Sequence, residues 1–240
     1  MTKQIMDTYG FSYKYRLSTR DPKNLDKYFG DPKLWDKAEK LSEKVLKDHK
    51  LDYFPGPGEA AFYAPKLDLI ATDSLGREWQ LSTLQIDYVQ PERFKLTYID
   101  QEGKEQRPVM LHRAIAGSPE RLMAILIEHY AGAFPAWLAP VQTIILPIAD
   151  RHLDYANTIN SDLLAAGIRS EIDNRAETLS AKIRDAQMQK VPYMLVIGDK
   201  EQEAKTIAVR SRDKGDLGQL ELKKFLGDVK IEIEDKRIIR

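Results

Sequence analysis

Val109-Met-Leu-His-Arg-Ala-Ile-Ala-Gly-Ser-Pro-Glu-Arg-Leu-Met-Ala-Ile-Leu-Ile-Glu128 reads as a β-strand that runs directly into an α-helix. Residues 109–115 are apolar enough for a half-buried strand. Ser118 has the chemistry of a helix N-cap and Pro119 that of a first helical residue, after which Leu122, Ile125, Leu126 and His129 recur at helical spacing. Arg121 then falls in the first turn. Unpaired amides and the positive end of the helix dipole meet there, so a guanidinium adds a charged fork suited to phosphate. Taken alone, an arginine at such a junction is also an ordinary surface feature.

Upstream of this junction, Phe11, Tyr13, Tyr15 and Leu17 alternate with polar residues, the period of a strand with one buried face. Leu34, Trp35, Ala38, Leu41, Val45 and Leu46 share one face of a helix predicted over 32–49, with Asp31 as its cap. Short runs follow at 61–63, 67–72, 78–88, 95–99 and 109–115. They are separated by Phe54-Pro-Gly-Pro-Gly58, Asp73-Ser-Leu-Gly76 and Asp100-Gln-Glu-Gly103, which are turn signals, and together they predict an α+β unit on an antiparallel sheet of hairpins.

Downstream, Phe134-Pro-Ala-Trp-Leu-Ala-Pro140 is a proline-punctuated connection, which puts expected domains at 1–137 and 141–240. Beyond it the pattern changes. Apolar strands at 143–148, 168–172 and 193–197 alternate with helices at 153–166 and 179–190. Such runs predict an α/β domain with a mixed sheet flanked by helices on both faces. A further strand is expected at 206–211 and a short helix at 219–226. The tail, 229–240, fits either a terminal helix or an edge element.

The 240 residues carry 37 basic and 37 acidic side chains, so no global field draws the molecule to nucleic acid, and any RNA-binding surface must be local. There is no cysteine, which rules out disulfides and thiolate metal cages built from this chain. The start MTKQIMDTYGFSYKY has no signal-peptide pattern, and no run approaches ~18 apolar residues. These features lead one to expect a soluble, cytoplasmic protein without membrane contact. No fixed-period repeat and no low-complexity tract is visible.

Several motifs occur together with the strand–helix junction: Phe62-Tyr-Ala-Pro-Lys66, Trp79-Gln-Leu-Ser-Thr-Leu-Gln-Ile-Asp87, His112 nine residues before Arg121, Trp137-Leu-Ala-Pro-Val-Gln142, and Val191-Pro-Tyr-Met-Leu-Val-Ile-Gly-Asp199 through Val209-Arg210. In this order they resemble the C-terminal part of threonine–tRNA ligases, over nearly the entire chain. The junction is similar to the third signature motif of class II synthetases. Prolyl and glycyl relatives share the Trp-Leu-Ala-Pro segment, but the Leu84-Gln-Ile-Asp87 strand followed by the histidine-bearing motif favours threonine.

The resemblance implies the end of a class II catalytic domain joined to an anticodon-binding domain. It assigns Arg121 to the terminal phosphate of ATP, which enters with Mg2+ as substrate. Ser118 and Gln80 would lie against the nucleotide, Tyr63 and Gln85 would face threonine, and Lys66 would act nearby. His112 corresponds to one of three zinc ligands, the other two lying in an earlier portion of the family's catalytic domain. Zinc there would bind the amino and hydroxyl groups of threonine together. In the second domain Lys182, Arg184, Lys190, Glu201 and Arg210 are the expected anticodon contacts of threonine tRNA. Read without the family, these five are equally the solvated charges of an ordinary helix and loop.

The complete enzyme is expected to be a homodimer. The first two signature motifs precede the matched region, so this chain by itself is expected to be catalytically incomplete and to retain no zinc. Two alternatives are a non-catalytic tRNA-anticodon-binding module and a synthetase-like accessory protein. The sequence departs from the family at three positions: Ala64 stands where glycine is usual, and Ala176 and Thr178 stand where asparagine and lysine are usual.

Overall fold

The computed structural model describes residues 1–238 and divides into two compact units, Met1–His129 and Tyr130–Arg240. In the first, α1 (Thr2–Tyr9) precedes β1 (Ser12–Thr19), α2 (Pro32–Asp48), β2 (Tyr53–Pro57), β3 (Lys66–Thr72), β4 (Glu78–Asp87) and α3 (Val89–Arg93). Two short strands, β5 (Tyr98–Ile99) and β6 (Glu105–Gln106), come next, then β7 (Met110–Ala114) and α4 (Pro119–His129).

One sheet has the order β2-β1-β3-β4-β7. The Asp31 carboxylate accepts from the Lys33 amide at 2.8 Å, and Pro32 opens α2 without wasting a donor. The apolar side of α2 brings Val45 and Leu46 onto Leu17, Leu67 and Leu84 of the sheet. Because side chains alternate along a strand, the opposite face of these strands is left for polar groups. The β3–β4 turn is closed by Asp73, whose carboxylate accepts from the amides of Leu75 and Arg77 and from the Trp79 indole, while Gly76 takes φ +78°.

Three sequence expectations for this unit are corrected. Residues 61–63 are irregular, and the strand lies instead at β2, within the stretch read as a turn. Pro55 and Pro57 cannot donate to a ladder, but β2 is an edge strand, where that loss is tolerated. The sheet is also not wholly antiparallel, since β2 runs parallel to β1. Of the run 95–99 only β5 is extended, and it pairs with β6 in a separate ribbon outside the main sheet.

The second unit consists of β8 (Thr143–Pro147), α5 (Leu153–Ala165), β9 (Ser170–Ile172), α6 (Leu179–Met188), β10 (Tyr193–Ile197), α7 (Asp199–Ala204), β11 (Thr206–Ser211), β12 (Gly215–Glu221) and α8 (Leu222–Glu234). The order is β12-β11-β10-β8-β9, with β8 parallel to both β9 and β10, and β11 and β12 antiparallel. Ile145, Leu195, Ile207 and Val209 face Ile159, Leu163 and Phe225 of α5 and α8. Ile144, Leu146 and Met194 face Ile183 and Ala186 of α6. Burial on both faces explains the unbroken apolar strands.

The connecting segment is pinned within this unit: Arg169 donates to the carbonyls of Trp137 and Ala139, and the fully buried Gln142 amide donates to Ala136 O and accepts from Arg169 N, both at 2.8 Å. A helix over 219–226 is corrected. The chain stays extended to Glu221, and helix α8 begins at Leu222. β12 is an exposed edge strand interrupted by Gly218, so it carries no alternating apolar signal. The tail is helical to Glu234, and residues 239 and 240 of that expectation lie outside the described residues.

Leu195 is completely buried in β10 between both helix layers. Leu195→Ala is expected to destabilise the second unit by about 2–5 kcal/mol, lowering its urea midpoint with the slope unchanged.

Candidate active site and nucleic-acid interface

The polar face of the first sheet can be read from its register. Arg16 lies opposite Asp68, Ser18 opposite Lys66, Asp68 opposite Thr83, Lys66 opposite Gln85, and Gln85 opposite His112. Gln80 and Thr83 are an odd number of residues apart and would ordinarily point to opposite faces. A bulge in the β3–β4 ladder, where Leu69 pairs with Ser82 and Ile70 with Gln80, takes up one extra residue and returns Gln80 to the polar side.

Asp68 is the centre of this face, with no solvent exposure. One oxygen accepts from Gln80 Nε2 and Thr83 Oγ1, both at 2.7 Å; the other accepts from Ser18 Oγ at 2.7 Å and Arg16 Nη2 at 3.0 Å, with Lys66 Nζ at 3.3 Å. Toward β7, Tyr63 Oη donates to Gln85 Oε1 at 2.8 Å, and its ring lies 5.2 Å from that of His112. His112 Nε2 is 2.8 Å from Asp87 Oδ2, while Asp87 Oδ1 accepts from the amides of Val89 and Gln90.

Arg121 follows the Ser118 cap, whose Oγ accepts from Arg121 N at 3.2 Å, and its Nη1 donates to Gln80 O at 3.1 Å. Gly117 at φ +64° makes this approach possible, since a Cβ there would stand 3.3 Å from Leu81 O. Tyr63, Lys66, Gln80, Gln85 and His112 therefore share one face, with Arg121 folded onto its β4 backbone. Ala64 is buried without positive φ, so its backbone asks nothing that alanine cannot give.

Sequence reading missed Arg16, Ser18, Asp68, Thr83 and Asp87. A lone carboxylate between Leu67 and Leu69 was the available signal for Asp68. Among the described residues no group of three or more His, Asp or Glu could hold a metal ion. His112 is thus a single potential ligand among the described residues.

In the second unit the expected RNA contacts are distributed over the sheet's length. Lys182 is buried, and its ammonium donates to Pro147 O at 3.1 Å and Asp173 O at 3.0 Å, tying α6 to the carboxyl ends of β8 and β9. Glu201 lies beyond β10 and accepts from Gly198 N at 2.9 Å. Lys190 and Arg210 lie toward the opposite end of β10: Lys190 bonds Ala131 O, and Arg210 pairs with Met194 on the face that α6 partly covers. Arg184 is exposed on α6. A strand of this length spans roughly 15 Å, so the set forms an extended surface rather than one pocket.

At the carboxyl edge the buried His152 accepts from Ala149 N at Nδ1 (3.1 Å) and contacts Asp199 Oδ1 through Nε2 (2.9 Å). Arg151 clasps the same carboxylate with two bonds of 2.8 Å. The hydrogen bonds from Arg151 first, then from His152, hold Asp199 well below the usual carboxylate range. Tyr193 is pushed up by burial and by its bond to Glu232, so it stays a phenol.

The model of the tRNA synthetase class II core domain (G, H, P, S and T) matches residues 1–130, and that of an anticodon binding domain matches 142–231. A threonine–tRNA ligase of Rubrobacter xylanophilus is 47% identical over 98% of this chain and 37% of its own length. One from Thermus thermophilus is 50% identical over 94% of this chain and 34% of its own. The chain thus spans about a third of the length of these curated relatives.

Among solved structures, one described as the RNA binding domain of threonyl-tRNA synthetase from Cryptosporidium parvum has a TM-score of 0.87 at 35% identity, covering 95% of this chain and 57% of that one. A putative threonyl-tRNA synthetase from Aeropyrum pernix has a TM-score of 0.73 at 25% identity, covering 98% and 58%. Among the described residues, no helix is long and apolar enough to cross a membrane.

Two outcomes follow from the geometry. Asp68→Ala strands Arg16 and Lys66 beside an emptied position and is expected to cost about 3–5 kcal/mol in denaturant unfolding of the first unit. Asp199 has a folded value below its ordinary 3.8, so its contribution to stability is present above that pH and is lost as pH falls through the lower folded value. Acid titration of Asp199→Asn should lack this component, as followed by the unfolding midpoint.

Proposed function

The chain belongs to the threonine–tRNA ligases of the class II tRNA synthetase family, matching their C-terminal portion, and from that premise we propose that it supplies part of a threonine-activating site together with the anticodon reader. The observation that carries this is the single polar sheet face on which Tyr63, Lys66, Gln80, Gln85 and His112 meet, with Arg121 at its border.

In this reading Arg121 holds the terminal phosphate of ATP brought with Mg2+, and it exchanges its bond to Gln80 O for phosphate oxygens. Ser118 and Gln80 lie against the nucleotide, Tyr63 and Gln85 face threonine, and Lys66 adds charge near the reacting carboxylate. His112, oriented by Asp87, is the residue of this chain that would help hold zinc, and zinc would there bind the amino and hydroxyl groups of threonine together. Activation of this kind depends on positioning and on charge stabilisation around the phosphates, where removing one donor costs about 10²–10³ in rate. The matched region is about a third of its relatives, so this polypeptide by itself makes no threonyl adenylate; the complete enzyme works as a soluble cytoplasmic homodimer.

The second unit binds threonine tRNA through its anticodon. Arg184 and Arg210, with Lys190 and Glu201 beyond the two ends of β10, form the extended surface offered to bases and phosphates, whereas Lys182 supports the fold. A non-catalytic RNA-binding role is the outcome if only this part functions.

Threonine-dependent ATP–pyrophosphate exchange should be absent for the purified chain and appear when the rest of the core is supplied, joined or in trans. Exchange by the chain alone would overturn the incompleteness. An RNA hairpin with the threonine anticodon should bind more tightly than hairpins with altered anticodon bases, and equal binding would overturn the anticodon reading.

A further inference from the structure

An open cavity of about 300 Å3 lies between the hairpin of β11 and β12 and the turns of α8. Leu217, Leu220, Phe225 and Val229 give it apolar walls, and the buried pair Tyr193 and Glu232 brings polar atoms to it. None of these residues belongs to the face around Asp68 or to the expected RNA contacts.

Glu232 is 7% exposed and, among the described residues, takes a single neutral donor, the Tyr193 hydroxyl at 2.6 Å on Oε2. Oε1 has no hydrogen-bond partner among the described residues, and it is not sealed from solvent. No ion pair reaches Glu232 among the described residues: Lys230 pairs with Glu234 and Arg237 with Asp235. Asp228 adds a second acidic group to the lining, and Lys214, exposed at the hairpin turn, has no acidic partner among the described residues. The two carboxylates are not part of any group of three that could hold a metal ion.

A carboxylate withdrawn from water with one neutral donor lacks the paired charge and the filled lone pairs that offset its desolvation. A cation at Oε1 supplies both in one contact, through the stronger, charge-assisted kind of hydrogen bond. The walls add a second demand, since an ion without hydrocarbon leaves them wet. We propose that this cavity binds a small aliphatic amine, its ammonium on Glu232 Oε1 and its carbon chain along Leu217, Leu220, Phe225 and Val229. The site stands apart from the anticodon reading and does not depend on it.

The test titrates the whole chain with n-pentylammonium chloride, followed by amide-resolved NMR at constant ionic strength. Pentanol, pentanoate and ammonium chloride are the controls that remove the charge, reverse it or remove the carbon chain. Pentylammonium should saturate at about millimolar concentration and shift amides of β12 and α8. The controls should bind about tenfold more weakly or worse, and each methylene from propyl- to pentylammonium should tighten binding about threefold. Glu232→Gln keeps an acceptor for Tyr193 and should weaken pentylammonium binding by about tenfold.

Pentanol binding as tightly as pentylammonium marks an ordinary apolar gap and overturns the inference. Shifts confined to other parts of the chain, no saturation by about 50 mM, or undiminished binding by a folded Glu232→Gln chain overturn it as well. If Glu232→Gln does not fold, Leu217→Ala at the exposed rim decides: a loss of about threefold in pentylammonium affinity supports the site, and unchanged affinity overturns it.

Discussion

A fully buried carboxylate organises the first unit. Taking Asp68 out of water carries a penalty of several kcal/mol unless its lone pairs are filled and its charge is matched. Arg16, Ser18, Gln80, Thr83 and Lys66 meet that requirement from three strands. The same bonds fix the side chains on which a substrate would rest, because Lys66 and Gln80 cannot leave Asp68 without uncovering its charge. Rigidity of the face and satisfaction of the buried ion are thus one constraint. Its opposite side needs no such network, since α2 covers it with hydrocarbon.

The second unit solves a different problem. Its central strands are covered on both faces, so the free polar chemistry is displaced to the strand ends and to the part of the sheet that α6 leaves open. At the carboxyl edge Lys182, His152 and Asp199 are spent on holding loops in place. What remains for a ligand is whatever these ties leave uncommitted. Charge in the sequence is therefore a poor guide to RNA contact: Lys182 and Arg184 are two residues apart on one helix, yet one is buried among carbonyls and the other faces solvent.

Much of this was legible from local pattern. The strand–helix junction with Ser118 and Pro119, the face of α2 behind Asp31, and the continuous strands of the second unit follow from periodicity and capping, which depend on near neighbours in the chain. The strand at Tyr53–Pro57 and the one at Gly215–Glu221 were not legible. Both are edges with little to bury, so neither alternation nor apolar content marks them.

The sequence by itself determined the class of each unit and the family motifs, because residue type and spacing carry that information. Only the tertiary structure decided which of them meet. The β4 bulge turns Gln80 onto the face of Asp68, the register of β4 and β7 sets His112 beside Gln85, and the packing of α6 consigns Lys182 to the interior. Each of these is a contact between residues remote in the chain, and such contacts are fixed by the packing of whole elements, which no local window contains.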